Sequence, residues 1–231
     1  MSQKLPSLAV KRRQKLARTP EPEAKGDPRK NNLWVVRLFD GTQTILSSDL
    51  SMEHLFYTEG DPSIRSARYP TEADMEPLGG KDIAFNAIVT RIDGNIECRH
   101  VRATALDPTV FRDAERLQSY HEAAKRFGGC YVEITAATLD QAKQRIQNWS
   151  RLLGAYRRCA QHPLGVLEQR LLERLTRAGN TTLGVALGWQ LDPSNALVIA
   201  ACAGLLRKRE IASDLDEATW SLHTKIGGRQ L

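Results

Sequence analysis

The sequence contains no apolar run approaching the roughly 20 residues that cross a bilayer, so no membrane-spanning helix is expected. Cysteine is scarce: Cys98, Cys130, Cys159 and Cys202 stand far apart, mostly in apolar segments and in none of the paired spacings of a zinc site. That pattern excludes a disulfide scaffold or structural zinc and is expected of reduced core thiols in a cytoplasmic protein. The basic N-terminal residues are followed by no apolar segment, which argues against a secretory signal. Glu21, Glu23 and Asp27 argue against an organelle presequence. The body of the chain also lacks any surplus of charge. Residues 1–30 hold nine Lys or Arg against three Asp or Glu, and the remainder balances at 24 against 24.

The whole net charge of +6 therefore sits on an N-terminal arm. Residues 1–32 carry four prolines and the run Lys11-Arg12-Arg13-Gln14-Lys15, with Arg18 just beyond. Such an arm lies on phosphates, each cation displacing a condensed counterion, or else serves as a solubilising tail. A short helix over Leu8–Leu16 is available to it on a partner. The other residues of the 231, with 41% hydrophobic and 26% charged content overall, suffice for one large or two small domains with a real core.

Alternation and turn residues predict strands over Leu33–Phe39 and Gln43–Leu46, joined at Asp40-Gly41. A helix capped by Ser48, Asp49 or Ser51 follows, with Met52, Leu55 and Phe56 as its apolar stripe, ending at Gly60-Asp61-Pro62. Ser63–Tyr69 reads as a strand and Thr71–Gly80 as a loop. Lys81–Val101 reads as a hairpin turning at Asp93-Gly94, with Glu97 and Arg99 on one face because side chains two apart in a strand point the same way. Val110–Phe127 has helical spacing and stops at Gly128-Gly129; Cys130–Thr135 is a strand and Leu139–Tyr156 a second long helix. This predicts a mixed α/β layer over residues 33–161, with a mixed sheet flanked by helices.

A second unit is predicted over residues 162–231: helices at Leu164–Ala178, Thr181–Trp189 and Ser194–Arg207, then a hairpin from Glu210–Leu215 and Trp220–Ile226. Three helices followed by a β-hairpin make a winged-helix pattern. The third helix is almost wholly apolar, whereas a helix that reads bases shows Arg, Lys, Asn or Gln towards its N-terminal end. With eight basic and seven acidic residues, this unit suits a protein partner better than base readout. Lys208, Arg209 and Lys225 remain candidates for phosphate contact.

The order of these landmarks resembles the TnsA family, the endonuclease subunits of heteromeric bacterial transposases. Ser51-Met52-Glu53 resembles the family's serine-x-glutamate helix start, and Glu59–Ile64 the approach to its second strand. Phe85–Val89 stands where the family has an aspartate in an apolar strand, and Glu97-Cys98-Arg99 where it has acid-x-lysine. Glu122–Gly128 followed by CYVEIT resembles its helix and last core strand. The resemblance implies a restriction-endonuclease-like PD-(D/E)xK domain followed by a winged helix. It also implies Mg²⁺ or Mn²⁺ as cofactor, DNA as ligand, and a DDE-type transposase subunit and an AAA+ ATPase regulator as partners in the bacterial cytoplasm, at the nucleoid when on DNA. Carried over by position, Glu53 and Glu97 are the metal-binding carboxylates, Asn86 the strand ligand and Arg99 the cation.

Two positions depart from the pattern. Asn86 offers a neutral oxygen where a metal wants charge, and Arg99 cannot act as a base because its pKa stays above roughly 12. The expectation is a nuclease fold with cleavage impaired or lost, binding DNA and partner proteins. An active metal-dependent endonuclease and a winged-helix DNA-binding regulator are the alternatives. Each residue also has a plain structural role open to it: Glu53 favouring its helix dipole, Asn86 as an edge-strand polar residue, and Glu97 with Arg99 as an exposed pair worth less than about 1 kcal/mol.

Overall fold

The computed structural model describes residues 33–69, 76–78, 81–83, 85–192 and 194–228. The arm residues Lys11, Arg12, Arg13, Lys15 and Arg18 lie outside the described residues. The chain forms a mixed α/β structure that divides into two compact units. Of the described residues, the first takes in 33–36, Thr44–Met52 and those within Arg65–Ala136; the second takes in Arg37–Gln43, Glu53–Ile64 and those from Ala137 to 228. The sequence boundary at residue 161 falls inside the second unit.

In the first unit, β1 (Trp34–Arg37) pairs with β2 (Gln43–Leu46). Helix α1 (Asp49–Gly60) begins here, its Ser51 amide donating to the Ser48 hydroxyl at 3.1 Å, so Ser48 is the residue that caps it. The main sheet has four strands in the order β3 (Ile64–Arg68), β6 (Ala87–Arg91), β7 (Ile96–Arg102), β8 (Cys130–Thr135). β6 and β7 form the expected antiparallel hairpin around Asp93-Gly94, with Val89 opposite Glu97 and Ala87 opposite Arg99. β7 and β8 run parallel, so the connection must cross over, and α2 (Phe111–Arg126) makes that crossing. The buried face of α2, Ala123 and Ala124, packs on Phe85, Ile88, Cys98 and Tyr131.

The end of α2 shows why the sequence needs Gly128-Gly129. Gly128 takes φ +71°, the left-handed conformation that closes a helix, while the Gly129 amide donates back to Ala124 at 3.0 Å. A Cβ at Gly129 would stand 2.7 Å from the carbonyl oxygen of Ile96. β8 can lie beside β7 only if that position has no side chain.

Three expectations for this unit need correction. The first strand of the hairpin is interrupted: β5 (Lys81–Ile83) pairs instead with β4 (Glu76–Leu78), inside the segment read as a loop. The break falls at Asn86, whose side-chain oxygen takes the Val101 amide at 2.7 Å in place of a ladder bond. Cys130 is exposed, not a core thiol, because it opens β8 at the sheet end. Cys98 is buried as expected, and burial pushes its thiol up to about 11.

The second unit holds the rest of α1 with α3 (Ala136–Gln141), α4 (Lys143–Arg158), α5 (Gly165–Ala178), α6 (Leu183–Leu187) and α7 (Asn195–Arg207). A three-stranded antiparallel sheet accompanies them, in the order β10 (Ile211–Ser213), β11 (Lys225–Gly228), β9 (Thr181–Thr182). The apolar α7 is the centre of the unit: residues 200–206 are all buried, and it packs on α4 and α5. The helix expected over Leu139–Tyr156 is two helices, broken at Ala142. The short helix expected from Thr181 begins only at Leu183, because Thr181 and Thr182 are drawn into the sheet.

The C-terminal hairpin is also shorter than its apolar pattern suggested, with Asp214–Thr224 a loop. The cause is Asn148 on α4, fully buried, whose amide group donates to the Leu215 and Ala218 carbonyls at 2.7 and 2.8 Å and accepts from the Trp220 amide at 2.8 Å. One side chain thus replaces the ladder bonds of this loop. Asn148→Ala is expected to strand three backbone groups, one buried and two part-buried, and lower stability by about 3 kcal/mol, read as a shift of the urea midpoint. An unchanged midpoint would mean that the loop finds its partners elsewhere.

Candidate functional site

Two of the residues that carry the nuclease resemblance, Glu97 and Arg99, meet on the central strand of the first unit. Glu97 and Arg99 stand on the same face of β7, as strand parity requires. Glu97 is held between two arginines. Arg91 Nη1 donates to Oε1 at 3.0 Å, while Arg99 Nε and Nη2 donate to Oε2 at 2.8 and 2.7 Å. Arg99 is only 2% exposed. The pair is therefore a closed, nearly dry ion pair and not the solvent-facing one that the sequence allowed. Arg91 was not singled out from the sequence. Its signal was there, since two residues beyond Val89 it is the diagonal cross-strand neighbour of Glu97.

Asn86, at the entry to β6, is equally committed. Its Oδ1 accepts from the Val101 amide, its Nδ2 donates to the Ser51 hydroxyl at 3.1 Å, and its own amide donates to the Arg99 carbonyl at 2.7 Å. It splices the sheet where the ladder stops and ties it to the first turn of α1. Glu53, the other carried-over acid, is half-buried on α1 and belongs to the second unit.

This donor set does not suit a divalent cation as it stands. Both oxygens of Glu97 are filled by guanidinium donors, whose charge already neutralises it, and the Asn86 oxygen is spent on the backbone. Among the described residues no cluster of three or more His, Cys, Asp or Glu side chains has metal-binding geometry.

On the other face of β7 lies a feature that sequence reasoning missed. His100 packs 4.7 Å from Tyr120, which stacks on Tyr131 at 5.1 Å with ring planes 11° apart; exposed His121 meets Tyr131 edge-on at 5.4 Å. The Tyr131 hydroxyl donates to Glu133 Oε1 at 3.3 Å, and Arg102 stands 3.3 Å from the same oxygen. The Leu106 amide donates to Glu133 Oε2 at 3.0 Å. His100 Nδ1 is buried with no hydrogen-bond partner. Burial, with Arg102 adding positive charge, pushes His100 down to about 4. Burial and the Glu133 carboxylate push the Tyr131 hydroxyl up.

The C-terminal phosphate candidates divide. Lys208 Nζ donates to buried Glu168 at 2.5 Å, and that bond raises its pKa. Arg209 takes φ +64°, unusual without glycine, and its Nη2 donates to the Glu59 and Asp61 carbonyls at 2.8 and 2.7 Å. It thus satisfies the C-terminal end of α1, with its guanidinium over the Trp149 ring. Both cations serve the second unit internally. Lys208, though paired with Glu168, and Lys225 are both exposed, while Arg209 is half-buried. No protein-family model matches this chain, and no curated protein does either.

Two measurements check these assignments. Glu97→Ala leaves Arg99 buried without its counter-charge and is expected to destabilise the protein by roughly 3 kcal/mol; a carboxylate kept for metal would on removal leave stability unchanged or raised. His100 is neutral when folded and takes a proton more readily when unfolded. Its contribution to stability is therefore complete above pH 6.5 and lost as pH falls from about 6.5 to about 4. His100→Phe is expected to flatten that part of the melting-temperature profile, while equal slopes in both proteins would show that His100 is not buried neutral.

Proposed function

We propose that this protein is a TnsA-like subunit of a heteromeric bacterial transposase, which binds transposon-end DNA and partner transposition proteins with phosphodiester cleavage impaired or lost. The observation that carries the proposal is the state of the acid-x-cation pair. Glu97 and Arg99 occupy the positions on a central strand where a PD-(D/E)xK nuclease keeps its acid and lysine, yet they are closed on each other and on Arg91. Asn86, in the place of the family's aspartate, has become a sheet splice.

The element order of the main sheet supports the restriction-endonuclease-like reading: a helix, the strands β3, β6 and β7, a crossover helix, and a last strand parallel to its neighbour. The second unit supports the winged-helix reading. β9 between α5 and α6 joins the β10–β11 hairpin, and the loop between β10 and β11 is the wing. With α7 buried along most of its length, base readout through that helix is closed to it. Its partners in this reading are a DDE-type transposase subunit and an AAA+ ATPase regulator. DNA is held by the basic arm through Lys11, Arg12, Arg13, Lys15 and Arg18. The active-endonuclease reading asks Glu97 to release two arginines before it can hold Mg²⁺ or Mn²⁺.

Calorimetric titration of Mn²⁺ into the full chain, with and without duplex DNA, tests this reading. The expected result is no binding by either the protein or its DNA complex, and no nicking. Mn²⁺ binding that disappears in Glu97→Ala would make the protein an active endonuclease. Replacing the five arm cations by Gln is expected to flatten the dependence of log K on log salt by roughly 4, from the release of about 0.9 counterion per phosphate contact.

A further inference from the structure

We infer that the exposed face of α4 is a second phosphate-binding surface, on which the backbone of double-stranded DNA lies. The inference rests on the DNA-binding reading above and adds a place on the folded body where the duplex sits. α4 carries Lys143, Arg145, Arg151, Arg157 and Arg158 and no carboxylate. The solvated helices of this protein are built differently: α2 and α5 interleave acids and bases along their length, as faces in water do.

The cations of α4 separate by role. Arg145 is half-buried and bonded bidentately to Asp216 at 2.6 and 2.7 Å, a structural pair. Lys143, Arg151 and Arg158 are exposed and take part in no ion pair with the described residues. At 100° per residue these three, with exposed Gln147, fall within an 80° arc opposite Ile146, Trp149, Leu152 and Leu153, which face the core. They span about 22 Å of helix, the length of about six base pairs of duplex.

Two details have no structural rationale within the fold. Lys143 sits in the first turn of α4, at the positive end of the helix dipole, where a cation weakens the helix. Gly154 lies within the basic arc, where glycine also weakens a helix. A Cβ there would meet nothing within 4 Å, so no neighbour within the protein requires its absence. A rigid polyanion lying along the helix accounts for both: it needs the cation and it profits from close approach where the face has no side chain.

The test measures binding of a 20-base-pair duplex to the full chain over a salt series. Lys143→Gln/Arg151→Gln/Arg158→Gln is expected to weaken binding at least tenfold at 0.1 M salt and to flatten the log K against log salt slope by roughly 2 to 3. Gln147→Arg is expected to steepen it by about one, which decides the matter even if the triple variant folds poorly. Arg170→Gln/Arg177→Gln on α5 removes similar charge and is expected to leave the slope as it was. Unchanged slopes in the triple and Gln147 variants, with binding lost in the arm variant, would overturn this inference and leave the function standing. Equal flattening by the α5 control would also overturn it, as a net-charge effect. A wild-type protein that binds no duplex would remove the DNA-binding function and this surface together.

Discussion

A guanidinium that is nearly out of water must keep its counter-charge, and Arg99 imposes that condition on the centre of the first unit. Desolvating an ion costs several kcal/mol, and only well-placed opposite charge with all donors engaged offsets it. Glu97 meets the requirement from two residues away on the same strand face, and Arg91 completes it from the neighbouring strand. The hairpin register is thereby tied to the charges as well as to the apolar pattern, since a one-residue slip would send Glu97 and Arg99 to the other side of the sheet. Asn86 then has to repair the ladder where β6 begins. Closed on one another in this way, Glu97, Arg99 and Asn86 hold the sheet together.

The second unit follows a parallel rule at its irregular backbone. Long loops leave polar groups that burial would orphan, and two side chains from elsewhere in the sequence take them up. Asn148 holds the Asp214–Thr224 loop, and Arg209 holds the end of α1. Arg209 does so at a backbone conformation that glycine would adopt more easily, and its paired carbonyl contacts maintain it there. These are structural tasks for residues whose type alone suggested solvent or DNA. Once Lys208 and Arg209 are spent internally, the folded body presents cations to solvent on a different element, the outer face of α4.

Residues that are local in their effects were legible. Cys130–Thr135 reads as a strand from its composition, α2 from its period and its double glycine, and the β6–β7 hairpin from Asp93-Gly94. The α5 helix and the apolar α7 were equally plain. The interruption at Asn86 was not, because whether a strand residue pairs through its backbone or its side chain depends on what stands across the sheet. The same holds for Asn148, a polar residue on an apolar helix face, whose meaning appears only when the loop it serves is 67 to 72 residues away in sequence. The roles of Lys208 and Arg209 were hidden for that reason too.

The sequence by itself determined the α/β class, the main strands and longer helices, the balanced body behind a basic arm, and the presence of Glu97 and Arg99 on one strand face. Each of these follows from composition or from a period of two or 3.6 residues. Tertiary structure decided whether that pair faces water or is closed. It also decided which arginines are tied down and which lie open to a partner. The energy of a charge depends on its burial and on neighbours brought close by folding, and neither quantity is carried by the residue's own position in the chain.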